Sequence, residues 1–429
     1  MSIARRVGSE LRTLLAAIGL LLSTCGVSPA AKPTAQWPQW RGPNRDCSVS
    51  GKAWPESLSG DNLTRLWQVP LDPSYSGPIV VGDRVYVTET QNRQSEVVKA
   101  LDRATGSEIW QTRWTGAMSV PFYAKANGDW IRSTPAFDEG RLYVAGMRDV
   151  LVCLDADSGE QLWRADFTQE LGTPLPSFGF VASPLIVGDA VVVQAAGGIV
   201  SLDKRTGQIK WRTVSDAGDM SRGAFSSPVA TTLHGREQLV VQTRQELIGL
   251  DLKSGDELWS VDVPAFRGMN IVTPTVVDGA VFTSSYGGGS FLFDLQSSAG
   301  GMRVSSRWQN RAQGYMSSPA VIDDSVYLHL RNQRFACIDL KTGDRRWTST
   351  PFGKYWSMAV QGDRILVLDE RGDLLLIRTN PDRFELVDSR HVSDDPTWAH
   401  LAVCGNEIFV RSLNSQMAFS WRDTNQLSR

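Results

Sequence analysis

Beyond its first 60 residues the chain is written in short apolar runs, such as Val85-Tyr86-Val87 and Leu142-Tyr143-Val144, that alternate with polar residues or stay apolar throughout. Such runs predict strands packed between sheets. Six runs follow one phrase, a small residue, a proline and then β-branched residues. The copies are Ser76-Gly77-Pro78, Ser133-Thr134-Pro135, Ala182-Ser183-Pro184, Ser226-Ser227-Pro228, Val272-Thr273-Pro274 and Ser317-Ser318-Pro319, with prolines 57, 49, 44, 46 and 45 residues apart. Trp356-Ser357-Met358 and Trp398-Ala399-His400 open degenerate seventh and eighth copies.

A second phrase recurs at the other end of each unit. Leu101-Asp102-x-x-Thr105-Gly106-x-x-x-Trp110 returns as Leu154…Trp163, Leu202…Trp211, Leu250…Trp259 and Ile338…Trp347, always nine residues from aliphatic to Trp. A worn copy runs from Phe293-Asp294 to Trp308 without the glycine. The Asp predicts an Asx-type turn and the Gly a positive φ. The Trp, with roughly 200 Å² to bury, is read as a wedge between neighbouring sheets. Each unit is thus three strands, the turn, and a fourth strand carrying Trp.

Eight four-stranded units in one chain predict an all-β fold, a single eight-bladed β-propeller over residues 62–429. The last unit ends near Trp421 without an outer strand, whereas Leu63-Thr64-Arg65-Leu66-Trp67 is a strand without a unit. The N-terminal strand is therefore expected to close the ring and remove its open edge. Trp67, Trp110, Trp163, Trp211, Trp259, Trp308 and Trp347 are assigned the structural role. Residues 31–61 are expected to be a linker whose Trp37, Trp40 and Trp54 pack on the flank, and 90–99 and 116–129 to be face loops.

The Leu-Asp-x-x-Thr-Gly-x-x-x-Trp repeat resembles that of the PQQ-like, quinoprotein-type propellers, a group that includes pyrroloquinoline quinone alcohol dehydrogenases and an outer-membrane assembly lipoprotein. The opening Trp37-Pro38-Gln39-Trp40-Arg41-Gly42-Pro43-Asn44 is similar to the lead-in of exported bacterial PQQ-binding-like repeat proteins. The resemblance spans about residues 37–429 and implies the fold. As to function it offers two directions: a quinone oxidoreductase, or a scaffold with envelope proteins as partners.

Composition narrows the choice. Formal charge is −2 in 429 residues, so no nucleic-acid partner is indicated. Only four histidines occur, so no metal site is assigned. A quinoprotein dehydrogenase, by that resemblance, needs PQQ, a Ca²⁺ held by carboxylate and amide oxygens, and a pair of adjacent cysteines over the cofactor. No two of the five cysteines are adjacent, so catalytic residues are set at none and PQQ with Ca²⁺ is disfavoured. Arg5, Arg6 and Arg12 before the apolar stretch 14–22 predict an export signal over residues 1–30. Two processing routes stay open: lipidation of Cys25 in Leu22-Ser23-Thr24-Cys25, or ordinary cleavage after Ser28 and Ala30.

The residues preceding each innermost strand must converge on the propeller axis. Tyr75, Arg132, Phe180, Arg222, Phe225, Asn270, Tyr315, Trp356, Trp398 and His400 are therefore the candidate binding residues. Aromatic and Arg-rich composition is that of a recognition surface, although the same side chains would also serve as a plug. The resulting expectation is an exported, monomeric, non-catalytic binding scaffold in the periplasm or cell envelope, touching membrane only through a lipid anchor. The alternatives are a PQQ-dependent oxidoreductase and a small-ligand or glycan sensor.

Overall fold

The computed structural model describes residues 35–214, 225–298 and 301–423. The export signal, Cys25 and Arg222 lie outside the described residues. Eight antiparallel sheets of four strands are arranged as the eight blades of a propeller. Blade 1 is Ile79–Val81, Arg84–Gln91, Ser95–Asp102 and Glu108–Thr115, from axis to rim. Blades 2 to 7 repeat that order. Blade 8 takes three strands from the C-terminus, Ala402–Cys404, Glu407–Arg411 and Ser415–Trp421, and its outermost strand from Leu63–Pro70. Leu63 pairs with Trp421 and Pro70 with Ser415, so the ring closes by the N-terminal strand. The stretch 90–99 is the tip of a long hairpin in blade 1, its arms in strands of eight residues, rather than a loop.

The repeated turn behaves as its residue types require. In blade 1, Asp102 Oδ1 accepts from the N–H groups of Ala104 and Thr105 and from the Thr105 hydroxyl, and Gly106 adopts φ 76°. The wedge is an exchange between blades. Trp67 donates from Nε1 to the Arg103 carbonyl of blade 1, Trp110 to Ala156 of blade 2, Trp163 to Lys204 of blade 3, and Trp308 to Leu340 of blade 6. Each of these rings lies on the glycine of the next blade's turn. A Cβ on Gly106, Gly159, Gly207 or Gly343 would fall 2.5–2.7 Å from the ring. Trp211 covers Gly255 in the same way.

Trp259 departs from the pattern. Its Nε1 donates to Gln238 Oε1 of its own blade at 2.6 Å, and its ring covers Gly249 there. The reason is the worn copy. Blade 5 has no glycine turn to receive it, its outer strands Gly289–Ser298 and Gly301–Asn310 running on instead. Trp259 keeps its hydrogen bond within blade 4, but its ring still packs in a core shared with Val281, Phe291 and Phe293 of blade 5.

Around the axis the prolyl phrase builds a belt. The N–H before each of the first five prolines donates to the hydroxyl of its counterpart one blade on: Gly77 to Thr134, Thr134 to Ser183, Ser183 to Ser227, Ser227 to Thr273, and Thr273 to Ser318, at 2.9–3.2 Å. Proline cannot donate, so the residue before it carries the only N–H at that level. These bonds draw the first six innermost strands together and set the radius of the funnel above them.

Candidate functional site

One end of the axis is stoppered by the segment preceding the ring. Residues 37–49 cross from blade 1, where Trp37 N–H donates to Val80, to blade 7, where Val49 N–H donates to Val360. Between these anchors Arg45 Nη1 donates to the Pro184 carbonyl at 2.7 Å and Nη2 to Ser183, and Arg41 donates to Pro319. Two guanidinium groups thus cap carbonyls on opposite sides of the ring. Burial, with the neighbouring Arg41 charge, lowers the Arg45 pKa to about 9. Trp40 sits between them, 5.5 and 5.6 Å from the two guanidinium carbons, with its ring edge-on to His400 at 5.3 Å. Burial drives the His400 imidazole down to about 3, so it is neutral at physiological pH. The expectation that these tryptophans lie on the flank is corrected for Trp40, which lines the axial cavity; Trp37 is buried in a core cluster with Trp67, Val80 and Phe409. Trp54 does pack outside, on Trp421 of blade 8 at 5.3 Å.

Above this floor lies a cavity of about 760 Å³. Its wall includes Tyr75, Arg132, Phe225, Tyr315, Trp356, Trp398 and His400, seven of the ten axial residues picked out from the sequence. The aromatic rings form a collar. Tyr75 stacks on Trp398 at 4.7 Å, Tyr355 meets Trp398 at 4.2 Å, and Tyr315 bridges Tyr355 and Tyr286. Opposite them Phe225 contacts Phe178, which contacts Tyr123. Two candidates miss the wall. Phe180 turns away into the core of blades 2 and 3 beside Phe167. Asn270 is buried and donates from Nδ2 to the carbonyls of Arg244 and Val263, tying two loops together.

The cavity carries positive charge without a carboxylate. Arg132, Arg244 and Arg267 line it, and among the described lining residues none is Asp or Glu. Arg132 donates from Nε to Trp130 O and from Nη2 to Gly128 O. Its pKa is lowered to about 10 by desolvation, against which Tyr75 and Asp129 act weakly. No acidic side chain lies within ion-pair distance of it among the described residues, whereas the surface ion pairs gather at the blade turns, as in Lys204–Asp138 and Arg346–Asp339.

The sequence model of the family described as outer membrane protein assembly factor BamB matches residues 93–349, more than half of the chain. The chain belongs to that family. The BamB of Yersinia pestis is 22% identical over 75% of this chain and 80% of its own length. The BamB of Moranella endobia is 24% identical over 79% and 83%. Among solved structures, BamB from Moraxella catarrhalis superposes with TM-score 0.60 at 18% identity, covering 83% of this chain and 97% of the other. A quinohemoprotein alcohol dehydrogenase from Pseudomonas putida HK5 superposes with TM-score 0.63 at 12% identity, over 90% and 80%. These superpositions establish the shared propeller fold.

The quinoprotein likeness implies a quinone with its calcium ion, and the residues present do not fit that pair. Ca²⁺ takes six to eight hard oxygen ligands, several of them carboxylates. Among the described residues no group of three His, Cys, Asp or Glu is placed to hold a metal, and the cavity hydroxyls of Thr134, Ser183, Ser227 and Thr273 already serve the belt. Cys47, Cys153, Cys337 and Cys404 are buried with free thiols. Several wall residues escaped sequence reasoning, among them Trp40, Arg244 and Arg267. Trp40 sits in a segment without periodicity. Arg244 and Arg267 sit in loops that the strand repeat does not index.

Proposed function

We propose that this BamB-type chain is a non-catalytic scaffold of the cell envelope that captures other envelope proteins, outer-membrane assembly proteins above all, through the open mouth of its funnel and the loops around it. Membership of the family supports the envelope setting. The observation that carries the reading is the apolar prominence beside the mouth. In the insert 116–129, the turn Phe122–Asn127 leaves Phe122 85% and Tyr123 62% exposed, with Tyr123 touching the collar through Phe178. Large aromatics that stay in water next to a wide cavity mark an interaction surface. Residues 1–30 carry the export signal, with lipidation at Cys25 or cleavage after Ala30 as its two processing routes, and residues 62–429 form the ring.

Capture from detergent-solubilised envelope membranes by the intact mature chain tests the reading. The wild type should retain outer-membrane assembly proteins, and the double variant Phe122→Ser/Tyr123→Ser should lose them while melting at the same temperature. Equal capture by both would move recognition away from this face. A titration with pyrroloquinoline quinone with and without Ca²⁺, followed by absorbance, should show no Ca²⁺-dependent change in the spectrum of the quinone; a saturable Ca²⁺-dependent change would return the oxidoreductase reading.

A further inference from the structure

We infer that the axial cavity is a ligand site for a carboxylate borne on an aromatic body, with Arg132 holding the carboxylate against the Tyr75–Trp398 stack. The inference rests on the proposal that the funnel is a recognition surface, and names the chemistry it recognises.

Arg132 is the deciding residue. It stands on the funnel wall where Tyr75 enters blade 1, and the Tyr75 N–H donates to Ile131 O beside it. Two of its five N–H groups are spent on Gly128 O and Trp130 O, and these bonds fix the plane of the guanidinium. Three N–H groups remain, and no carboxylate of the described residues takes them. A positioned guanidinium with one open edge matches one planar carboxylate better than a phosphate, which asks for more donors. Desolvation outweighs the effect of Asp129 on this cation, and no carboxylate lines the cavity to pair with it at contact, so a bound carboxylate would offset the cost of its burial.

The body of the ligand is set by the collar. The rings of Tyr75, Trp398, Tyr355 and Tyr315 line the same cavity as Arg132 and, packed on one another with centroids 4.2–6.2 Å apart, present it a continuous aromatic surface. Aromatic rings prefer aromatic neighbours in stacked or edge-on arrangements. The volume, about 760 Å³, lies in the usual range for a small-ligand cavity of roughly 300–1,000 Å³. Two sources present this chemistry: a free aromatic acid, and the C-terminal aromatic residue of a peptide entering by the mouth.

Calorimetric titration of the intact mature chain tests the inference. The probes are 3-phenylpropionate, its neutral amide 3-phenylpropionamide, and a pentapeptide ending in Phe with a free or an amidated C-terminus. The acid should bind at least ~10-fold more tightly than its amide, which is the loss of one charge-assisted contact. Arg132→Gln should cut affinity for the acid by a similar factor and leave the amide unaffected, while the surface variant Arg383→Ala changes neither. Binding of the free-acid peptide but not of the amidated one assigns the site to chain ends; binding of 3-phenylpropionate alone assigns it to small acids, and both support the inference. Equal affinity for acid and amide, an Arg132→Gln variant that binds as the wild type does, or no heat up to ~10 mM ligand would overturn it. If Arg132→Gln fails to fold, the acid and amide comparison on the wild type decides alone. Since Phe122 and Tyr123 are untouched, membrane capture reports separately on the scaffold reading.

Discussion

Gly159 in the turn of blade 2 and Trp110 at the rim of blade 1 are made for each other: a Cβ on the glycine would lie 2.5 Å from Cε3 of the ring. The turn needs glycine twice over, since its φ is 76° and the neighbouring blade occupies the space a side chain would fill. Adjacent blades share no main-chain ladder. The ring on the glycine, with its Nε1–carbonyl bond, joins them at the rim together with hydrogen bonds from Thr112 Oγ1 to Gly159 O and from Arg84 Nη1 to Ala156 O.

Removing the ring should therefore weaken the joint, and removing the space should weaken it too. Trp163→Ala is expected to cost about 3–5 kcal/mol, as large-to-small core substitutions do. Gly207→Ala, which drives a methyl to 2.7 Å from the same ring, should destabilise as well. Urea unfolding of both variants checks this, and a midpoint unchanged in either would place the ring outside the joint.

The belt makes a second prediction. Ser227→Ala leaves the Ser183 N–H without its 2.9 Å acceptor in a buried position, at a cost of about 1–3 kcal/mol. Ser227→Thr keeps the hydroxyl and should cost less. Thermal melts of the two variants separate a missing acceptor from a change in bulk.

The blades were legible in the sequence because six units carry the proline phrase and five the turn phrase, so Pro78 to Pro319 and Trp110 to Trp347 could be aligned without knowing any contact. Ring closure was legible for the same reason, as an unpaired strand and a unit lacking one. What a residue touches was less so. Trp259 matches its phrase fully, yet its partner should be a glycine in the following copy, and that copy has lost it. Ser183 and Ser227 looked like small residues before proline; that one bonds the next becomes visible only when the blades are set around an axis. Phe180 and Asn270 stand close in sequence to the innermost strands, as Phe225 and Tyr315 do, and loop conformation alone turned them from the cavity. Trp40 was misplaced because a non-repeating segment has no period to place it by.

Glu96 carries a pH dependence of stability. It is buried between blades 1 and 2, accepting from Trp114 Nε1 at 2.7 Å and from Met147 N–H at 2.6 Å. Burial dominates those bonds and raises its pKa from 4.5 to about 7. The folded state then holds a proton that the unfolded chain releases, so this group's contribution is full below about pH 4.5 and is lost as pH rises to about 7. Glu96→Gln has no titrating group there, and sets an NH₂ against one of the two N–H donors. Its melting temperature should lie below the wild type at pH 5, and the gap should narrow by pH 8. A gap independent of pH would show that Glu96 is ionised throughout.

The turns respond in the opposite direction. Hydrogen bonds from Arg236 and Arg346 lead in holding Asp251 and Asp339 at about 2. Their contribution is present above the unfolded carboxylate range, near pH 4, and is lost as pH falls towards 2. Asp339→Asn should remove part of the acid sensitivity of unfolding between those values, as followed by circular dichroism. It should lower stability at pH 7 at the same time.

The closure strand and the stopper are separable. Deleting residues 63–70 exposes the edge of Ser415–Trp421, a row of unpaired N–H and C=O groups, and should lead to aggregation through that edge. Arg41→Ala/Arg45→Ala leaves every blade paired but uncaps the carbonyls of Ser183, Pro184 and Pro319, and takes the two cations from the faces of Trp40. That variant should stay monomeric and melt lower. Residues 37–49 should become sensitive to limited proteolysis, since the segment would keep only its backbone bonds to blades 1, 2 and 7. If the closure deletion melts at an unchanged temperature, Leu63–Pro70 does not complete the ring. If the double arginine variant resists protease as the wild type does, the stopper is held by its backbone bonds and the tryptophans alone.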